Sequence, residues 1–87
     1  MKKPYWVYML ECDGGYIYTG IAVDPEARFL EHAAGKGSRF TRMRKPLRII
    51  GKREVPDRGT ALRMEHALKK LKRADKKKWA GECAAGS

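Results

Sequence analysis

A few side chains in this sequence break the pattern of their surroundings in ways that chemistry uses. Arg28 and His32 are four residues apart, so a helix would aim both from one face toward the same volume. Their plain reading is a solvated helix surface; the sharper one is a cation and a proton carrier beside an anion. Glu65 lies three residues after Leu62 and three before Leu68, inside an apolar helical stripe. A carboxylate at the edge of a core is costly unless a cation or donors satisfy it. An ion pair with Arg28 or another base would do so. So would a hard divalent cation, Mg²⁺ or Mn²⁺, held by one carboxylate, waters and a substrate phosphate. Tyr8 and Tyr18 fall mid-strand, with Tyr5, Trp6 and Tyr16 nearby. Packing is the ordinary role of strand aromatics. A phenol of lowered pKa beside cations and a metal could instead take a proton or orient water.

Other chemistries are excluded. There is no GxxxxGK[ST] loop, and Gly35-Lys36-Gly37-Ser38 follows a helix rather than a strand. His66 adjoins Glu65 and points elsewhere, so no HExxH site forms. Cys12 and Cys83 lack metal-ligand spacing and read as free thiols in a reducing cytoplasm rather than as a disulfide.

These residues need elements to hold them. Tyr5–Glu11 reads as a strand, Asp13-Gly14-Gly15 as a hairpin turn and Tyr16–Ile21 as the returning strand. Asp24-Pro25 opens a helix that runs to about Ala34, with Gly35 as its stop. Residues 35–46 have no apolar periodicity and read as a basic loop; Leu47–Val55 is a third strand. Asp57 or Thr60 caps a second helix whose stripe is Ala61, Leu62, Met64, Leu68 and Leu71. A short basic helix anchored by Trp79 follows, and residues 81–87 are expected to fray. The order ββαβαα predicts an α+β domain over residues 1–80, a three-stranded sheet with helices covering one face.

Eighty-seven residues make one domain with a modest core. No apolar run is long enough to span a membrane. Lys2 and Lys3 precede a stretch too short for a signal peptide. Twenty Lys and Arg face ten Asp and Glu, a net charge of +10 that favours polyanionic partners. The distribution says more than the total. No acid lies between Glu31 and Glu54, while Lys36, Arg39, Arg42, Arg44, Lys45, Arg48, Lys52 and Arg53 accumulate there. Lys69, Lys70, Lys72, Arg73, Lys76, Lys77 and Lys78 form a second cluster. A solvated surface accounts for one such run; two flanking one small fold point to nucleic acid, because neutralised phosphates release counterions. An anionic membrane is the rival, but the runs lack the Trp, Phe and Leu face of interfacial helices.

The ordered motifs resemble those of a known family. Val7-Tyr8-Met9, ten residues before Tyr18-Thr19-Gly20, resembles the paired motif of the GIY-YIG nuclease superfamily, and Arg28, His32 and Glu65 follow in that family's order. Tyr5–Cys12, Tyr18–Asp24, Arg28–His32 and Gly35–Pro46 are similar to segments of its small stand-alone UPF0213 group. The resemblance implies a three-stranded antiparallel sheet carrying a single-metal phosphodiesterase site. Tyr8 would activate the attacking water with Tyr18 assisting, and Arg28 would clamp the scissile phosphate. His32 would contact that phosphate or relay a proton, and Glu65 would hold Mg²⁺ or Mn²⁺. Phe40 stands where relatives often carry Tyr, and the Asn that many bear near the end of the domain has no counterpart that can be placed.

The expected function is therefore a metal-dependent endonuclease, on DNA rather than RNA, structure-selective or directed by a partner protein, in repair or processing. Lys36, Arg39, Arg42, Arg44, Lys45, Lys69, Lys70 and Lys77 would bind backbone phosphates. Two alternatives stay open: a nuclease fold that binds nucleic acid without cutting it, and an accessory protein for RNA or the ribosome.

Overall fold

The computed structural model describes residues 3–86, with side chains as far as Cys83. Strand β1 (Tyr5–Cys12) and strand β2 (Tyr16–Ala22) form the expected hairpin. Its turn is a single 3₁₀ turn, Asp13–Gly15, in which Gly14 and Gly15 both take φ of 80°. That left-handed backbone is open to glycine and strained for other residues, so the Gly-Gly pair fixes the register. Helix α1 (Pro25–Ala33) starts where Asp24 Oδ1 accepts the Ala27 amide at 3.2 Å with Pro25 in the first turn.

Residues 35–46, expected as an irregular loop, contain a short helix α2 (Arg39–Met43). The local signal is a cap: the Ser38 hydroxyl accepts the Thr41 amide at 3.3 Å. Five residues are too few to display periodicity, so pattern reading passes over them. Strand β3 (Pro46–Val55), helix α3 (Arg58–Lys69) and helix α4 (Arg73–Gly86) complete the chain. Asp57 is the cap of α3, its Oδ1 accepting the Thr60 amide at 2.8 Å. The last helix is longer than expected, with helical backbone through Gly86; Ser87 lies outside the described residues.

The sheet is antiparallel with order β2-β1-β3, which puts β1 at the centre. Alternation along β1 sends Val7 and Met9 to one face and Tyr8, Leu10 and Cys12 to the other. On the first face Val55, Ala61, Leu68 and Ala80 close the core under α3 and α4, with Trp79 packed against it. On the second, Phe29 of α1 joins Tyr18, Ala22 and Ile49. Helices thus cover both faces rather than one, because α1 crosses over the side of β1 that carries Tyr8. In α3 the buried positions are Ala61 and Leu68, whereas Leu62 and, just beyond the helix, Leu71, both expected in the stripe, are exposed. Both cysteines are buried free thiols.

Candidate active site

Tyr8 projects from the central strand into the space beneath α1, where it is 1% exposed. Gly20, its partner on β2, makes room for it: a Cβ there would stand 2.7 Å from the Tyr8 hydroxyl and 2.9 Å from the Tyr18 ring. The hydroxyl lies 3.0 Å from His32 Nε2 in a buried hydrogen bond. On its other side, His32 Nδ1 lies 2.8 Å from Thr41 Oγ1, and the Thr41 hydroxyl donates to the Ser38 carbonyl at 3.0 Å. His32 and Thr41 are 1% and 2% exposed. A polar line therefore runs from the central strand through α1 to α2, and each buried member has a partner. Such a satisfied network is rigid and specific in geometry.

Tyr18 closes one side of this line, its ring 5.0 Å from the imidazole and 6.4 Å from the Tyr8 ring. Phe40 packs at 5.9 Å on Tyr18 and at 6.2 Å edge-on to Tyr16. The Arg28 charge favours the Tyr8 phenolate, and its guanidinium donates to Glu31 Oε2 at 2.7 Å. Of the partners expected for Glu65, Arg28 or another base, the structure supplies another base: Lys69 Nζ at 3.5 Å, one turn along α3. The Glu65 side chain is 17% exposed, and its charge reaches Tyr8. Of the five residues singled out for chemistry, Tyr8, Tyr18 and His32 meet in direct contact, and the charges of Arg28 and Glu65 act on the Tyr8 phenol from farther off.

Electrostatics qualify the roles expected of them. Burial pushes the Tyr8 phenol far above its ordinary value of 10.0, and Tyr18 adds to the rise while Arg28 opposes it. A lowered phenol pKa is therefore not found in the resting protein. Burial also lowers the His32 pKa, helped by the Arg28 charge and opposed by Glu31, so the imidazole is neutral near pH 7.

The basic residues Lys36, Arg39, Arg42, Arg44, Lys45, Lys69, Lys70 and Lys77 are all exposed, as phosphate contacts would need to be. Arg44 stacks over Tyr16 with its guanidinium carbon 4.2 Å from the ring centroid. Beside it, a groove of about 510 Å³ is lined by Gly14, Gly15, Tyr16, Phe40, Arg73 and Lys76, bringing the two basic runs to the hairpin turn. Thr41 and Ser38 went unnoticed in sequence. Their available signal was the Ser-x-x-Thr spacing of the α2 cap.

A divalent cation can be tested against the donors present. Among the described residues no cluster of three or more His, Cys, Asp or Glu exists to encage a metal. The half-buried Glu65 is one hard oxygen donor, which fits an ion such as Mg²⁺ that keeps most of its waters and takes substrate phosphate as a ligand.

Comparison with known proteins agrees with this geometry. The family described as the GIY-YIG catalytic domain matches residues 4–78. A UPF0213 protein of Cupriavidus pinatubonensis is 46% identical over 76 residues, 87% of this chain and 84% of the relative. One from Neisseria meningitidis serogroup A is 42% identical over 79 residues, covering 90% and 87% of the two chains. The solution NMR structure of a UPF0213 protein from Bacillus halodurans superimposes with a TM-score of 0.53 at 39% identity, over 86% of this chain and 80% of that one. With its motif tyrosines facing one another across Gly20, the chain belongs to the GIY-YIG nuclease family, in its UPF0213 group.

Proposed function

We propose that this protein hydrolyses phosphodiester bonds in DNA with a divalent cation, Mg²⁺ or Mn²⁺, at the volume bounded by Tyr8, Tyr18, Arg28, His32 and Glu65. The observation that carries this reading is the buried Tyr8–His32 hydrogen bond, in the field of the Arg28 cation and the Glu65 carboxylate.

The chain's residues divide the work as follows. Arg28 exchanges its exposed partner Glu31 for the scissile phosphate and stabilises the charge that builds up there. Because burial keeps Tyr8 protonated, its hydroxyl can accept a proton from the attacking water only as its own passes to His32, whose neutral imidazole is placed to receive it. Tyr18 borders that path and orients the water. Glu65 would hold the cation, which would supply Lewis-acid stabilisation of the leaving oxygen. The exposed cations of α2, α3 and α4 position the backbone without reading sequence. Cleavage would accordingly follow substrate shape or a partner protein, consistent with a part in repair or processing. Among the described residues no helix is long and apolar enough to cross a membrane.

One observation favours a second reading, a fold that binds without cutting: Tyr8 is almost wholly buried and its phenol holds its proton tightly. Cleavage of labelled single-stranded, duplex and branched DNA with Mg²⁺, Mn²⁺ or EDTA separates the two. The nuclease reading expects metal-dependent cutting that Glu65→Ala abolishes while binding in EDTA is unchanged. Binding by both proteins with no product from either, on any substrate, would leave the binding module.

A further inference from the structure

The protons along the buried line can be counted. The Thr41 hydroxyl has one proton, and the Ser38 carbonyl, at 3.0 Å, can only accept it. With its proton on the Ser38 carbonyl, Thr41 Oγ1 acts as acceptor toward His32 Nδ1, 2.8 Å away, and Nδ1 carries a hydrogen. Nε2 is left with its lone pair directed at Tyr8, so the phenol donates and the imidazole receives. The opposite tautomer makes as many bonds but leaves the more deeply buried donor, the Tyr8 hydroxyl, without one. With a proton on Nε2, the Tyr8 oxygen would accept from His32. The phenol's own proton would then have no acceptor among the described residues. That tautomer would gain the Ser38 amide, which donates to Nδ1 at 3.4 Å. Ser38 is half-buried, so water can serve that amide instead.

We propose that Thr41 is a positioning residue that fixes His32 as the Nδ1–H tautomer and thereby makes Nε2 the proton acceptor for Tyr8. The hydrogen bond made by one ring nitrogen sets the state of the other, as in the carboxylate–histidine pairs of many sites. Thr41 belongs to α2, the helix that also carries exposed Arg39 and Arg42, and its hydroxyl ties that basic segment to the imidazole. The catalytic consequence rests on the proposed nuclease reading; the tautomer itself does not.

The test is long-range ¹H–¹⁵N correlation NMR of the untagged protein, which has two histidines, His32 and the exposed His66. His66→Gln assigns the signals. The wild type is expected to show His32 with a protonated Nδ1 and an unprotonated Nε2, and Thr41→Ser, which retains the hydroxyl, the same pattern. Thr41→Val, which keeps the shape and loses the hydroxyl, should lose that preference and cut about 10–100-fold more slowly, the range for orienting partners, with unchanged DNA affinity in EDTA. An Nε2–H tautomer in the wild type overturns the proposal whether or not the valine variant folds, and so does a valine variant that keeps the wild-type tautomer and rate. A wild type that cuts nothing would defeat the nuclease reading and leave the spectrum to decide this one.

Discussion

Two neighbouring groups, Tyr8 and His32, carry the residue-scale argument, because both are buried and both are held in their neutral forms. Their environments push in one physical sense: removal from water disfavours the charged phenolate and the charged imidazolium alike. Neutrality suits a proton path, since a neutral imidazole can receive what a protonated one cannot. The same burial has a consequence for stability. The folded-state pKa of His32 lies below the ordinary value of 6.5, so the unfolded chain binds a proton more readily than the native one. His32 is neutral in both states well above that value and has no effect on the balance there. As pH falls through 6.5 toward the lower folded value, the unfolded state takes up the proton first and stability declines. Urea unfolding of the wild type should show this decline, and His32→Gln should flatten it. An equal slope in both proteins would mean that other groups control acid sensitivity.

At the scale of elements, the sheet holds the site because its two faces are closed by different helices. Helix α4 reaches β3 through a close approach: a Cβ on Gly51 would stand 2.6 Å from the Ala80 Cα and 2.9 Å from its carbonyl oxygen. Backbone cannot swing aside as a flexible side chain can, so Gly51→Ala should push α4 off the sheet. The expected cost is about 1–3 kcal/mol in denaturant unfolding, the range for overpacked cores. The tautomer of His32 should be unchanged, since its line lies on the opposite face. A fully stable Gly51→Ala protein would show that α4 docks loosely. The strands and their hairpin were legible in sequence because alternation, the Gly-Gly turn and Asp24-Pro25 are local signals. Tyr8, Tyr18, Arg28, His32 and Glu65 were singled out by type, position and family motif, and the structure puts Tyr8, Tyr18 and His32 in contact. Thr41 was not, since a threonine in a short basic stretch acquires meaning only when folding brings it to an imidazole. Which base would pair with Glu65 was left open for a similar reason. Arg28 found Glu31 within its own helix, and Lys69 lay one turn from Glu65. Helices on both faces could not be read from a strand count, because β1 is apolar on each side.

Charge belongs to the whole molecule. The excess of ten positive charges is split between α2 with its flanks and the α3–α4 region, and the groove beside Tyr16 is lined from both, by Phe40 of α2 and by Arg73 and Lys76 of α4. A polyanion crossing that groove would meet both groups at once, so each should contribute to affinity in the same way. Lys77→Ala and Arg42→Ala lie outside the reacting volume and are exposed, which makes them clean probes. Measured in EDTA over a range of salt, each should weaken DNA binding for all sequences alike and reduce the slope of log affinity against log salt by about 1. The double variant should reduce it by about 2 if both lysine and arginine touch phosphate in one complex. A slope lowered by Arg42→Ala alone would confine the nucleic acid to the α2 side and make the α4 lysines a solvated surface. An unchanged slope in both would remove the backbone-binding role from these residues, while leaving the Glu65→Ala cleavage test free to stand or fall by itself.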